Sequence, residues 1–311
     1  MATNANVGLL VPSFFAGQPP TMDEYTSFFR SAEDMGFHSL WFTDRVFHQI
    51  NILETFTLMT VAATVTSRVR LGTAVLLFVL RHPVLVAKAM ATLDHLSGGR
   101  VTLGISLGGR DNEFGPMGVS MRRRVSKFTE DLTVMRKLWT ERNVTFHGRF
   151  YDMDDVNVDP KPVQKSGIPI IIGGSADAVY KRAAEADGWV AGGGLNAEAY
   201  ALACRKIRQY ALDSSRDPNI LDTGKLMYVY VNEDRNQAKQ RLESFCHAYY
   251  GPQYDVDDNC AFGQADECAE FIQSYIDAGA KTILLGPTWP DVAQISRIAQ
   301  EELPRLRLNM G

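Results

Sequence analysis

The sequence is short of the features that would place it in several common classes of protein. Its 311 residues carry a formal net charge of −4, and no excess of positive charge predicts binding to nucleic acid or to an anionic membrane surface. No apolar run approaches the roughly 20 residues of a membrane-spanning helix. Residues 1–6 are polar and unlike a signal peptide, so we expect a cytoplasmic protein.

Clusters of metal-binding or nucleophilic residues are also missing. The four cysteines form no CxxC pair, which predicts reduced thiols rather than a disulfide or a zinc site. The histidines show no ligand spacing, so we expect no metal. No GxSxG sequence surrounds a serine, which argues against a serine hydrolase. No linker or low-complexity break divides the chain, and we expect one domain over residues 1–311.

The chain is organised around the stretch 71–110, which is predicted to form a strand, a loop, a helix and a second strand. Pro83 suits the first turn of a helix, where its missing N–H costs nothing. Apolar residues recur at helical spacing over 84–96, and Gly98 can end that helix because glycine tolerates the left-handed conformation. Residues 101–105 form the next buried strand. Two strands joined through such a helix should be parallel.

The same alternation of strand and helix runs along the whole chain. Eight strands are predicted, at 7–11, 39–42, 70–73, 101–105, 168–172, 188–191, 226–231 and 282–285. This pattern predicts an α/β fold, and eight units favour a closed (β/α)8 TIM barrel over an open sheet. Residues 144–158 are expected to form a β-hairpin insertion, and residues 251–260 an irregular surface loop.

Two glycine-rich turns follow neighbouring strands, at the end where barrels of this type carry their active sites. Gly173-Gly174-Ser175 is a candidate phosphate cradle, because glycines let the backbone approach an anion and a helix start offers unpaired N–H groups. A plain tight turn with a serine cap explains it equally well. Gly192-Gly193-Gly194 provides either room for a ligand group or a flexible loop. Since neighbouring strands place both turns side by side, the pair is more informative than either turn.

Asp44 and Arg45 follow the second strand at the same end of the predicted barrel. They are either a functional pair or one half of a structural ion pair. A barrel acting on a sugar phosphate would need paired carboxylates. Apart from Asp44, the strand ends offer none obvious beyond Asp111 and Glu113.

Several segments together resemble the bacterial luciferase-like family. They are Leu71-Gly-Thr-Ala-Val75, Arg81-His82-Pro83, Leu96-Ser-Gly-Gly-Arg100, Leu103-Gly104, Leu138-Trp139, Phe146-His-Gly148, Pro169 to Gly174, and Arg182-Ala-Ala-Glu-Ala-Asp-Gly-Trp189. The resemblance covers most of the chain and is weakest after about residue 200. It implies a (β/α)8 barrel that binds FMN or the deazaflavin coenzyme F420. It further implies an oxidoreductase that transfers hydride to, or monooxygenates, a small organic substrate.

The resemblance also assigns residues to the expected cofactor site. Ala74 and Val75 lie where the family has a non-proline cis peptide behind the ring system, and Thr73 precedes them. Ser106, Leu107 and Gly108 match the segment that flanks the ring. Gly173, Gly174, Ser175 and Gly192 match the segments around the phosphate, and Gly193 follows them.

One position departs from the family pattern. Family members often carry a histidine directly after the acidic residue at the second strand end, and here that residue is Arg45. Arginine stays protonated near neutral pH and cannot act as a general base. We take Asp44 and Arg45 as the expected catalytic residues. A proton transfer would fall to Asp44 or to another group, unless the reaction needs none. Arg45 could instead hold an anionic substrate or the carboxylate-bearing tail of the coenzyme.

The choice of cofactor leans slightly to the deazaflavin. The Gly-Gly-Arg100, Gly173-Gly174 and Ala-Asp-Gly-Trp189 segments resemble that branch of the family more closely. The family resemblance also suggests a homodimer and, for members that use FMN, a separate flavin reductase as partner. The missing histidine permits an alternative, a non-catalytic flavin-binding protein of the same fold.

Overall fold

The computed structural model describes residues 5–307 and contains a closed barrel of eight parallel strands. We number them β1 to β8: Asn6–Val11, Ser39–Phe42, Arg70–Thr73, Val101–Ser106, Ile170–Gly173, Gly188–Ala191, Asp222–Val231 and Thr282–Gly286. Each strand pairs with its neighbours in this order. The ring closes where Asn6 of β1 pairs with Thr282 of β8. The predicted (β/α)8 barrel is confirmed.

Within residues 5–307, nine α-helices of six or more residues pack around the strands. We number them α1 to α9: Met22–Asp34, Thr55–Val65, Pro83–Ser97, Arg124–Thr140, Asp177–Glu185, Ala197–Asp213, Arg235–Tyr250, Ala265–Asp277 and Val292–Arg297. Local signals set several of their ends. Pro83 occupies the first turn of α3, and Gly98 ends it at a φ of 69°. Thr21 and Glu24 form a reciprocal capping box at the start of α1.

Within residues 5–307 no helix is both long enough and apolar enough to cross a membrane. Residues 1–4 make up most of the segment in which we expect no signal peptide. They lie outside the described residues.

Alternate residues of each strand face two different hydrophobic cores. Outward-facing residues pack against the helices. The inward-facing residues Leu10, Trp41, Ile171, Leu226 and Leu284 belong to a second core inside the barrel. Trp41 packs directly over Gly72, where a Cβ would lie 2.4 Å from the indole ring. Because these side chains fill the lower barrel, the space for a ligand lies at the C-terminal ends of the strands.

The hairpin predicted over 144–158 is confirmed, with Val144–His147 paired antiparallel to Asp152–Val156. The expectation of an irregular loop over 251–260 is wrong. A short helix forms at Val256–Asn259, and Cys260–Gly263 is a strand that pairs in parallel with the last residues of β7. Four residues without alternation give no signal of their own, so this strand depends on the long neighbour that it pairs with.

Candidate active site

A cavity of about 520 Å³ opens at the C-terminal ends of the barrel strands. Most of the site residues predicted from the sequence line it: Asp44, Arg45, Ala74, Val75, Ser106, Leu107, Gly108, Gly173, Gly174, Ser175 and Gly192. They follow strands β2 to β6, whose carboxyl ends meet at one face because the strands are parallel. The fold therefore gathers segments that are separated by up to about 150 residues in the sequence.

Two of the predicted residues, Thr73 and Gly193, lie behind the lining. Thr73 is fully buried, and its hydroxyl donates a hydrogen bond of 2.6 Å to the carbonyl of Gly104. Gly193 faces the hydroxyl of Tyr254, which would lie 2.4 Å from a Cβ at that position. Both residues support the lining rather than forming its surface.

The floor of the cavity is apolar and closely packed. The peptide bond between Ala74 and Val75 is cis, as the family resemblance implied. A Cβ at Gly173 would lie 2.7 Å from a methyl carbon of Val75, so only glycine leaves room for that side chain. Val190 and Leu226 extend the same surface. The result is a floor without charged groups, suited to a flat aromatic ring.

One side of the cavity, which we call the glycine wall, consists of Gly173, Gly174, Ser175 and Gly192. Gly174 has a φ of 129°, a conformation that other residues rarely adopt. Helix α5 starts here, but its N-cap is Ala176 and no side chain caps it, so the alternative of a serine cap is wrong. In the described chain the N–H groups of Asp177 and Ala178 have no backbone partner. This wall therefore presents open N–H groups at the positive end of a helix dipole.

Asp44 and Arg45 line another part of the cavity, and with their ion-pair partners Arg81 and Glu113 they form what we call the charged wall. Asp44 is buried, and one of its oxygens accepts hydrogen bonds from Arg81 at 2.9 Å and from the Thr55 hydroxyl at 3.2 Å. Its other oxygen accepts from the N–H of Leu77 at 2.9 Å. With both oxygens engaged, Asp44 is better placed to hold the loops together than to accept a proton.

Arg45 forms the second ion pair of the charged wall. Its guanidinium lies 2.9 Å from a carboxylate oxygen of Glu113, which is fully buried, and its Nε donates to the hydroxyl of Tyr249 at 3.3 Å. Burial opposes the charge on Arg45, but Tyr249 and Glu113 outweigh it and raise the pKa of the guanidinium. Arg45 thus stays a cation whose charge is largely balanced by Glu113.

Several residues of the site could not be predicted from the sequence. Tyr249 and Tyr250 line the cavity from the last turn of α7, far from any strand end. Arg124, the first residue of α4, also lines the cavity. His48 stacks on the ring of Tyr249 with centroids 5.0 Å apart. No local pattern marks these residues. The packing of α7 against the loop after β2 brings the two tyrosines and His48 together, and the start of α4 brings Arg124.

Comparison with known proteins identifies the class to which this fold and site belong. The model of the luciferase-like monooxygenase family matches residues 6–255, so the chain belongs to that family. An uncharacterised protein of Mycobacterium tuberculosis is 41% identical over 142 residues. That match covers 46% of this chain and 49% of the relative, so the chain spans about half the length of the curated relatives of this group. An F420-dependent glucose-6-phosphate dehydrogenase of Nakamurella multipartita is 29% identical, over 79% of this chain and 80% of the relative.

Solved structures share the fold over nearly the whole chain. An F420-dependent secondary alcohol dehydrogenase, solved with an F420–acetone adduct, has a TM-score of 0.84 at 21% identity and covers 98% of this chain and 99% of its own. The oxygenating constituent of a Pseudomonas putida diketocamphane monooxygenase, solved with FMN, has a TM-score of 0.80 at 18% identity. That match covers 99% of this chain and all of the other. At these identities the likeness establishes the barrel alone.

Proposed function

We propose that this chain is an oxidoreductase that binds F420 or FMN in the cavity and uses it to reduce, oxidise or monooxygenate a small organic substrate. The main support for this proposal is that one cavity combines three features. These are the glycine wall with its open N–H groups, the uncharged floor over Val75, and the charged wall at the mouth.

The glycine wall fits the phosphate that both coenzymes carry. Open backbone N–H groups at a helix start bind an anion without needing a side-chain cation. The hydroxyl of Ser175 adds a further donor at the lining. The absence of side chains at Gly173, Gly174 and Gly192 lets the backbone itself approach the anion.

The floor fits the ring system of either coenzyme. Val75 would lie against the ring face, with Ser106, Leu107 and Gly108 beside it. When bound, the coenzyme supplies the hydride or the activated oxygen, and the protein supplies orientation and shelter from water. The apolar side chains of Val75, Val190 and Leu226 exclude water from the buried face of the ring.

The charged wall would bind and orient the substrate. We propose that Asp44 positions Arg81 and the N–H of Leu77, while Arg45 balances Glu113 and orients Tyr249. The Tyr249 hydroxyl accepts a hydrogen bond from Arg45, so its own proton is free to point elsewhere. Tyr249, which lines the cavity next to Arg45, is therefore the group that we propose exchanges a proton with a bound substrate.

Between the two coenzymes, the deazaflavin is favoured by the dehydrogenase relative of Nakamurella multipartita, which matches over four-fifths of its length. Two cations of the site also suit a coenzyme with an anionic tail. Arg110 lies over the ring of Tyr249, and Arg124 lines the cavity. Within residues 5–307 neither of them has a carboxylate partner.

The test is a pair of titrations of the purified protein with F420 and with FMN, followed by absorbance and fluorescence. Oxygen uptake is then measured with the reduced form of whichever coenzyme binds. We expect micromolar or tighter binding of F420 and no oxygen uptake. Tight FMN binding with oxygen uptake would shift the assignment to the monooxygenase branch. Failure of both coenzymes to bind at micromolar concentration would refute the proposal.

A second candidate is a non-catalytic flavin-binding protein, and the engagement of both Asp44 oxygens gives it some support. Turnover of any substrate by the reduced complex excludes it. A barrel that acts on sugar phosphates is less well supported, because Asp44 and Glu113 are each paired with an arginine. The homodimer and the separate reductase remain proposals, which light scattering and activity with an added flavin reductase would test.

A further inference from the structure

A buried lysine lies directly behind the turn that follows β6. Lys225 of β7 has no exposed surface, and within residues 5–307 it forms no ion pair. Its Nζ donates to the carbonyl of Gly192 at 2.8 Å and to that of Gly193 at 3.2 Å. The same nitrogen lies 4.8 Å from the centre of the Tyr275 ring, on α8. Lys225 is thus placed between the barrel wall and the helices, outside the cavity that its neighbour Leu226 lines.

Burying the amino group of Lys225 costs free energy, so we expect the side chain to have a function at this position. Burial lowers the pKa of Lys225 to about 7, and the titratable groups that face it are Cys260 and Tyr275. A methionine of similar length would fill the same space without this penalty. What the lysine adds is a donor for two carbonyls of the turn, of which that of the buried Gly193 is costly to leave without a partner.

The orientation of these carbonyls determines where the amides of the turn point. A trans peptide unit is planar, with its C=O and N–H on opposite sides. The Gly192 and Gly193 carbonyls accept hydrogen bonds from Lys225, so the N–H groups of Gly193 and Gly194 point the other way, away from the lysine. No hydrogen bond within the described chain uses either N–H. The Tyr275 hydroxyl donates a hydrogen bond of 3.0 Å to the carbonyl of Leu195, so this carbonyl also faces outward, towards α8.

The neighbouring turn completes the arrangement. Strands β5 and β6 pair in register Gly173↔Val190, so the glycine wall and this turn lie side by side. On the basis of the proposed function, we infer that Lys225 is a positioning residue for the phosphate of the coenzyme. It binds the outer side of the turn at Gly192 and Gly193 and thereby aims two backbone N–H groups at the anion, which it does not itself touch.

The test compares coenzymes with and without the phosphate. FMN and riboflavin share the ring and the ribityl chain, so the ratio of their dissociation constants isolates the phosphate contribution. For Lys225→Met we expect FMN binding to weaken about ten- to a hundredfold, the range of one hydrogen bond to a charged group, and riboflavin binding to change less than about twofold. F420 and its ring-and-ribityl core form a second pair. They differ by the phosphate and the carboxylate-bearing tail together, so the quantity compared is the change in their affinity ratio between the wild type and Lys225→Met.

Lys281→Met is a matched control. The Lys281 side chain also donates to two backbone carbonyls, those of Asn219 and Leu221 at 2.6 and 2.7 Å, but at the opposite end of the barrel. We expect this variant to leave the FMN-to-riboflavin ratio unchanged. Tyr275→Phe removes a single hydroxyl from the outer side of the same turn. Tyr275→Phe should weaken FMN binding by a few fold and leave riboflavin binding unchanged. This variant replaces Lys225→Met in the test if Lys225→Met does not fold.

The outcomes separate this inference from the proposed function. Equal weakening of FMN and riboflavin in both variants, or no change in either, would overturn the role of Lys225 while leaving the coenzyme assignment intact. If no coenzyme binds the wild type, inorganic phosphate is titrated and the Gly193 and Gly194 amide resonances are followed. Shifts present in the wild type and absent in Lys225→Met would still support the inference. An absence of shifts in the wild type would overturn it.

Discussion

The two sides of the cavity are built in opposite ways. The charged wall is made of side chains that form ion pairs with one another, as in the contacts of Asp44 with Arg81 and of Arg45 with Glu113, both at 2.9 Å. The glycine wall has almost no side chains and presents backbone N–H groups. A wall whose groups are mutually paired contributes to stability, whereas a wall with unpaired donors is poised for a ligand. Substitutions on the charged wall should therefore affect folding most, and those on the glycine wall should affect binding most.

The largest expected effect is on the charged wall. Asp44→Ala leaves Arg81 without its buried partner and removes the acceptor for the Leu77 N–H. We expect the free energy of unfolding to fall by about 3–5 kcal/mol, the usual effect of breaking a buried ion pair. Denaturant titration followed by circular dichroism measures it. Asp34→Ala is the control, because its pair with Arg68 at 3.7 Å is exposed and should contribute less than about 1 kcal/mol. Equal effects for the two would contradict the contrast between the walls.

The second effect concerns the support behind the glycine wall. The pKa of Lys225 is lowered by burial from 10.5 to about 7, so above pH 7 the unfolded chain binds a proton that the folded chain does not. Stability conferred by this group therefore rises with pH between about 7 and 10.5. Between pH 7 and 9 the wild type should gain roughly 2–3 kcal/mol relative to Lys225→Met. Unfolding free energies of both proteins at several pH values measure this, and parallel pH curves would show that Lys225 keeps its ordinary pKa.

The third prediction separates binding from folding on the glycine wall. A Cβ at Gly192 meets no atom within 4 Å, so Gly192→Ala should change the free energy of unfolding by less than about 0.5 kcal/mol. The added methyl lies where the coenzyme phosphate is proposed to bind, and coenzyme affinity should fall about tenfold, or about 1.4 kcal/mol. Fluorescence titration measures the affinity. Gly17→Ala, also without a contact within 4 Å but outside the cavity lining, is the control. Unchanged affinity in Gly192→Ala would mean that the turn does not contact the ligand.

The smallest effect tests the charge balance at the mouth. Glu113→Gln keeps the shape of the side chain but leaves the charge of Arg45 uncompensated beside the cavity. We expect small anions, used as competitive inhibitors of coenzyme or substrate, to bind about two- to fivefold more tightly. Glu54→Gln is the control, because Glu54 pairs with Arg81 on the exposed side at 3.2 Å. The measurement is the inhibition constant of sulfate for each variant. An equal change in both variants would show a general effect of net charge rather than an effect of the Arg45–Glu113 pair.

The two walls also differ in how far the sequence alone could predict them. The glycine wall could be predicted, because glycines directly after strands are a local signal and parallel strands end at one face. The charged wall could be predicted only in part. Asp44 and Arg45 stand out by position, but Glu113 contacts Arg45 from 68 residues away and Tyr249 from 204. The resemblance to luciferase-like proteins supplied the cis peptide at Ala74–Val75, which no pattern in this chain would have suggested.

The sequence by itself determined the order of strands and helices, the capping box at Thr21, the helix end at Gly98 and the glycine turns. Each of these depends on residues close together in the chain. Only the tertiary structure decided that Lys225 lies behind Gly192, that Tyr249 reaches Arg45, and that Cys260–Gly263 joins β7. These contacts form because closing the barrel fixes the distances between distant segments, and no local preference encodes such distances.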